Sequence, residues 1–142
     1  MPRLRPLLFF ALPVCLLVSC GSSEIKSSVE TLSPDTLATW VENGTPVLVY
    51  DTRARLAYEQ AHIPGAVPAE QKTLSELRET LLVDPQIPIV VYNQNGTILA
   101  TDHDLAGEAA EKYRYPNVYW LEGGIEAWIR LNHTTDGRRL IR

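Results

Sequence analysis

The side chains able to do nucleophilic or redox chemistry are few in this chain. Two cysteines occur, Cys15 and Cys20, and nothing from Gly21 to Arg142 carries a thiol or could form a disulfide. Asp102-His103-Asp104 has the residue types of an acid/base or metal site. Consecutive residues point in different directions, however, and a metal site is completed by ligands from elsewhere in a chain, so Asp102 and Asp104 read as helix caps and His103 as part of a solvated loop. His62 lies in a His-Ile-Pro-Gly-Ala turn and reads as a structural hydrogen-bonding residue; His133, near the chain end, reads as solvent-exposed. No metal and no cofactor is implied.

The 142 residues are 45% apolar and 21% charged, the profile of one ordinary globular domain. A net charge of -4 supplies no basic face to neutralise phosphates, so nucleic acid is not an expected partner. Met1 to Pro6 holds two arginines and no acid, and the apolar run Leu7 to Val18 follows, closed by Ser19 and Cys20. That run has 12 residues and contains Pro13, whereas a spanning helix takes roughly 20. Residues 1–19 therefore read as a signal peptide. Leu17-Val18-Ser19-Cys20-Gly21 resembles the lipobox of bacterial lipoproteins, which implies that Cys20 is acylated and becomes the first mature residue. Residues 20–30 then form the lipidated cysteine and a Ser-rich polar tether, and residues 31–142 the folded domain. The expected address is exported and lipid-anchored, with the membrane as one partner and another envelope protein as a second. Gly21 stands where an aspartate would favour the inner membrane, so the outer membrane facing the periplasm is favoured in a Gram-negative cell. Loss of residues 1–19 leaves 11 basic against 17 acidic side chains, a net charge of -6.

Three apolar runs, Val47 to Tyr50, Ile89 to Tyr92 and Val118 to Leu121, are short and rich in β-branched or aromatic residues, as buried parallel strands are. Helical patterns surround them. Ser33 is placed to cap a helix with Pro34 in its first turn and Leu37, Trp40 and Val41 inward; Leu74, Leu77 and Leu81 repeat at helical spacing. Asp104 precedes Leu105, Ala106, Ala109, Ala110 and Tyr113, and Gly124 precedes Ile125, Trp128 and Ile129. Alternating strands and helices predict an α/β domain, a parallel sheet with helices on both faces.

Three landmarks sharpen this: Asp51-Thr52-Arg53 after the first strand, Tyr58 with His62-Ile63-Pro64-Gly65-Ala66, and Leu121 to Trp128 containing Gly123-Gly124. In this order they resemble the rhodanese-like domain. Asp51 and Arg53 can pin a loop by charge and hydrogen bonds, Pro64-Gly65 can make a turn, and Gly123-Gly124 lets the backbone approach the sheet before a helix. Ala61 and Ala57 depart from the glycine and acidic residue that the resemblance leads one to expect there.

In active rhodaneses the second apolar strand runs into a cysteine that takes up sulfane sulfur as a persulfide; the resemblance puts Asn93 at that position. A carboxamide is neither a thiolate nor convertible to a persulfide, so the defining transfer step has no substitute. The active-site-like loop comprises Asn93, Gln94, Asn95, Gly96, Thr97, Ile98 and Leu99, continuing to Asp102, His103 and Asp104. Ile98 and Leu99 stand where the family commonly has Arg and Ser, and the stretch Ile98-Leu99-Ala100 reads as core packing. The expectation is a non-catalytic rhodanese-fold lipoprotein, a membrane-tethered binding or scaffolding module of the envelope. The alternative is a rhodanese-family sulfurtransferase or related enzyme with an atypical active-site loop.

Overall fold

Runs of β-branched and aromatic side chains occupy the centre of a five-stranded sheet in a computed structural model that describes residues 29–77, 84–98 and 105–138. The signal and lipobox segment with Cys15 and Cys20, and also Leu81, Leu99, Asp102, His103 and Asp104, lie outside the described residues. The strands are β1 (Glu30–Leu32), β2 (Leu48–Asp51), β3 (Val67–Pro68), β4 (Ile89–Tyr92) and β5 (Val118–Leu121), ordered β1-β5-β4-β2-β3 and all parallel. Strand β2 is one residue later than the apolar run suggests, so that Asp51 closes it opposite Tyr92. Strand β1 begins at Glu30, inside the stretch read as tether.

All four residues of β4 are buried, because both faces of the sheet are covered. Val49, Val90, Tyr92 and Leu121 point to one face, where Leu37 of α1 (Pro34–Glu42) and Ile125 and Trp128 of α3 (Gly124–Arg130) pack on them. Tyr50, Ile89, Val91, Val118 and Trp120 point to the other and meet Leu74, Leu77, Leu105, Ala106, Ala109 and Ala110. The α/β class with helices on both faces is as the periodicity indicates.

Helix α1 starts as expected, Ser33 Oγ accepting from the Thr36 amide at 3.3 Å. Leu37 is fully buried, while Trp40 and Val41 are half-buried at the core edge, Trp40 meeting Tyr119 edge to face. Residues 74–77 form turns rather than regular helix, although Leu74 and Leu77 are both in the core. After helical residues 105–107 the chain widens into a π-helical segment, Glu108–Lys112, in which the Tyr113 amide donates to Glu108 O. This turns Tyr113 outward, 41% exposed, where a regular helix would carry it in. Ile129 is likewise exposed rather than inward, in the last turn of α3, while Ile125 and Trp128 hold the core contact. Helix α2 (Arg55–Gln60) was not foreshadowed by any periodic pattern, and it buries none of its residues.

Candidate functional site

The C-terminal ends of β2 and β4 meet at a buried ionic cluster. Asp51 has no solvent exposure, and Arg53, two residues on, turns back so that its Nε and Nη2 donate to the carboxylate at 3.0 and 2.7 Å. The Tyr92 hydroxyl donates to Asp51 Oδ2 at 2.6 Å and accepts from the Ile63 amide at 3.2 Å. Burial first, and then the Asp51 charge and hydrogen bond, hold the Tyr92 phenol far above its ordinary range. Burial pulls the Arg53 guanidinium down, but the Asp51 hydrogen bond and charge more than offset it, and the net direction is up. Arg53 and Tyr92 thus brace the Asp51 carboxylate from two sides at the strand ends.

From this brace the loop after β4 is tied down from both sides. Arg53 Nη1 donates to Gln94 Oε1 at 3.3 Å, and Gln94 Nε2 donates to Glu126 Oε1 at 3.0 Å, linking β2 to the first turn of α3. The Ile125 and Glu126 amides, free donors at a helix N-terminus, donate to the carbonyls of Asn93 and Gln94, each at 3.0 Å. Glycines make this approach possible. Gly96 has φ +75, and a Cβ there would lie 2.5 Å from Gly123 N; Gly124 has φ +55, and a Cβ there would lie 2.4 Å from Asn93 O. Gly96 and Gly124 therefore admit the loop itself to the helix terminus, a closer approach than the one to the sheet expected from sequence, while a Cβ on Gly123 would meet Ala127 of the helix.

Asn93 follows the last residue of β4 and is buried, 7% exposed. Its carboxamide spans the loop, Oδ1 accepting from the Gly96 amide at 2.8 Å and Nδ2 donating to Thr97 O at 2.6 Å. The next amide, of Thr97, donates to Asn95 Oδ1 at 3.0 Å, and Gly96 O accepts from Trp120 Nε1 at 2.9 Å. The loop's own side chains thus consume the donors of Gly96 and Thr97 that an incoming anion would need. Ile98 does not pack into the core as expected: it is 52% exposed.

Beside the loop lies a cleft of about 860 Å³ with Arg53, Ala57, Glu70, Lys72, Gln94 and Leu105 among its walls. Among the described residues lining it there is no thiol and no histidine. Thr52 Oγ1 donates to Tyr92 O, and Arg53 is committed to Asp51 and to Ala61 O. No group of three or more His, Cys, Asp or Glu side chains placed to hold a metal ion occurs among the described residues.

The second landmark is structural. His62 Nδ1 donates to Tyr58 O at 2.8 Å, its ring stacks on Tyr58 at 3.9 Å, and the Tyr58 hydroxyl donates to Ala66 O at 2.7 Å. Burial, with the charges of Asp51 and Asp136 adding, pushes the Tyr58 phenol up. Pro64-Gly65 forms a turn with φ +76 at Gly65, closed by the Ala66 amide on Ile63 O. Trp128 is in the core, its Nε1 donating to Thr134 O. His133 is not the free surface side chain that its position suggests. Its Nε2 lies 2.8 Å from Asp35 Oδ1, its ring rests 4.7 Å from that of Trp128, and the side chain is only 18% exposed. Tyr92 and the Gln94–Glu126 strut escaped the sequence reading, although pairing β2 with β4 in parallel register would have set Tyr92 beside Asp51.

The family model of the rhodanese-like domain matches residues 33–131. The chain belongs to the rhodanese-like domain family. Among curated relatives, this rhodanese-like chain is 28% identical to the thiosulfate sulfurtransferase GlpE of Coxiella burnetii over 93 residues, 66% of this chain and 81% of that protein. The rhodanese-like domain of an Anabaena protein superposes with a TM-score of 0.60 at 23% identity, covering 78% of this chain and 81% of that one. A thiosulfate sulfurtransferase from Pseudomonas aeruginosa gives 0.63 at 24% identity, covering 80% of this chain but 20% of its own. These two likenesses concern the fold.

Proposed function

We propose that this chain is a non-catalytic rhodanese-fold lipoprotein, held to a membrane of the cell envelope by a lipid on Cys20 and acting as a tethered binding or scaffolding module. In this reading Asn93 replaces the sulfur-accepting cysteine of the family. The observation that carries it is the Asn93 carboxamide bonded across its own loop to the Gly96 amide and Thr97 carbonyl. A rhodanese turnover moves sulfane sulfur from thiosulfate onto a thiolate, releasing sulfite, and then onto an acceptor such as cyanide. A carboxamide has no thiolate to attack with, and the folded body contains no other thiol. Export to the outer membrane facing the periplasm, with another envelope protein as partner, fits the lipobox-like segment and Gly21; the acidic body disfavours nucleic acid.

The likeness to the sulfurtransferase GlpE favours the second reading, an enzyme with an atypical loop. Assay of the full chain in detergent micelles with thiosulfate and cyanide separates the two. The expected thiocyanate formation equals the reagent blank; turnover well above it refutes the non-catalytic reading. The anchor has its own test. Cys20→Ala is expected to shift the protein from the membrane pellet to the soluble fraction after cell lysis, since each buried acyl methylene contributes about 0.8 kcal/mol to membrane affinity. Unchanged pelleting would refute lipidation at Cys20.

A further inference from the structure

Helix α2, with its N-cap Ala54, forms one wall of the cleft through Ala54 and Ala57, and within its own sequence only a solvent-exposed Arg55–Glu59 ion pair supports it. It buries no residue, has six residues, and its N-cap, Ala54, offers no side-chain acceptor. Isolated short helices are unstable in water, and each leaves carbonyls at its C-terminus without intrahelical partners. The N-terminal end is held by Glu70, whose carboxylate accepts from the Arg55 amide at 2.9 Å. The C-terminal carbonyls are satisfied from outside the helix: Tyr58 O by the His62 ring, and Glu59 O by the Arg138 amide at 2.8 Å.

The second of those donors belongs to residues 132–138, a segment beyond the family match, which ends at 131. That segment runs back from α3 as a strap. The His133 amide donates to Trp128 O, Trp128 Nε1 donates to Thr134 O, and His133 reaches Asp35 on α1. Asp136 and His62 exchange both backbone hydrogen bonds, at 2.8 and 2.9 Å, as an antiparallel bridge. Gly137, at φ +150, lies flat against the end of α2, where a Cβ would come 2.4 Å from Gln60 O.

We propose that the strap of residues 132–138 is a latch that caps α2 from outside and thereby sets the position of the cleft wall, so that releasing the strap loosens this wall while the sheet stays intact. The grip is local because strap contacts fall on α2, the His62 turn and the α1–α3 face, and none of its backbone bonds enters the five-stranded ladder. A partner or ligand that displaces the strap would thus act on the cleft without unfolding the domain.

Hydrogen exchange read by mass spectrometry on the full chain tests this. Gly137→Val, which cannot sit against Gln60 O, is expected to speed exchange of the amides in residues 55–62 about tenfold, with those of β4 and β5 unchanged. Truncation after Leu131 guarantees release and is expected to give at least the same local effect. If the truncated chain exchanges in residues 55–62 as slowly as the intact one, the latch is refuted. If exchange rises equally across β4 and β5, the segment is part of the core and the proposal is equally overturned.

Discussion

Replacing Asp51 by alanine is expected to cost about 3–5 kcal/mol of folding stability, the range found when one partner of a buried ion pair is removed. The magnitude follows from what remains behind. The Arg53 side chain is 9% exposed and Asp51 fully enclosed, so the variant buries a guanidinium whose principal acceptor is gone. The Tyr92 hydroxyl loses its acceptor as well, and its own bond from the Ile63 amide then joins an unbraced turn. Asp51→Asn keeps the shape and an acceptor oxygen but not the charge, and is expected to fall between the unsubstituted protein and Asp51→Ala. Urea denaturation of the full chain measures both. The double change Asp51→Ala with Arg53→Leu is expected to recover part of the loss, because the cost of the single variant lies in the unpaired charge more than in the missing bond. Simple addition of two large losses would argue that the residues act independently.

Gly96→Ala is expected to cost about 2–5 kcal/mol, from left-handed backbone strain of about 1–2 kcal/mol and overpacking of about 1–3 kcal/mol. The added Cβ would fall 2.5 Å from Gly123 N and 2.8 Å from Gly123 Cα, backbone atoms that cannot turn aside. Gly44 is the internal control. Its φ of +65 is similarly left-handed, but a Cβ there meets nothing within 4 Å. Gly44→Ala should therefore cost only the conformational part, about 1–2 kcal/mol. Equal losses at the two positions, in the same denaturation experiment, would mean that the loop-to-helix approach contributes nothing.

These contrasts show which parts of the fold the sequence could disclose. Strands β2, β4 and β5 are legible because both faces are largely buried, so most residues in them are apolar, with β-branched and aromatic side chains prominent. Strands β1 and β3 are not: three residues, or two with one of them Pro68, are too short to display a period. Helix α2 was hidden for another reason. Its caps lie outside it, on Glu70 at one end and residue Arg138 at the other, and its apolar Leu56 is 68% exposed. Tyr113 is outward because a π-helical turn breaks the spacing that assigned it to the core, and Ile129 because α3 turns Ile125 and Trp128 to the sheet.

The site divides in the same way. Local chemistry exposes Asp51 with Arg53, the Pro64-Gly65 turn and Asn93, since each acts on neighbours within a few residues. The Gln94–Glu126 strut, the Tyr92 hydroxyl on Asp51, and His133 on Asp35 join residues 32, 41 and 98 positions apart, and such pairs exist only once the strands are in register. The loop's self-closure sits between these cases. Two asparagines within three residues suggest turn chemistry, but that both are turned onto the amides of Gly96 and Thr97 needs the geometry.

The central claim, that this rhodanese-like body cannot take up sulfane sulfur, is tested most directly by intact-mass measurement of the full chain after incubation with thiosulfate and removal of excess reagent. The predicted spectrum is unchanged, with no species heavier by one sulfur atom and none reversed by cyanide. A cyanide-sensitive gain of one sulfur atom on the protein would contradict the account.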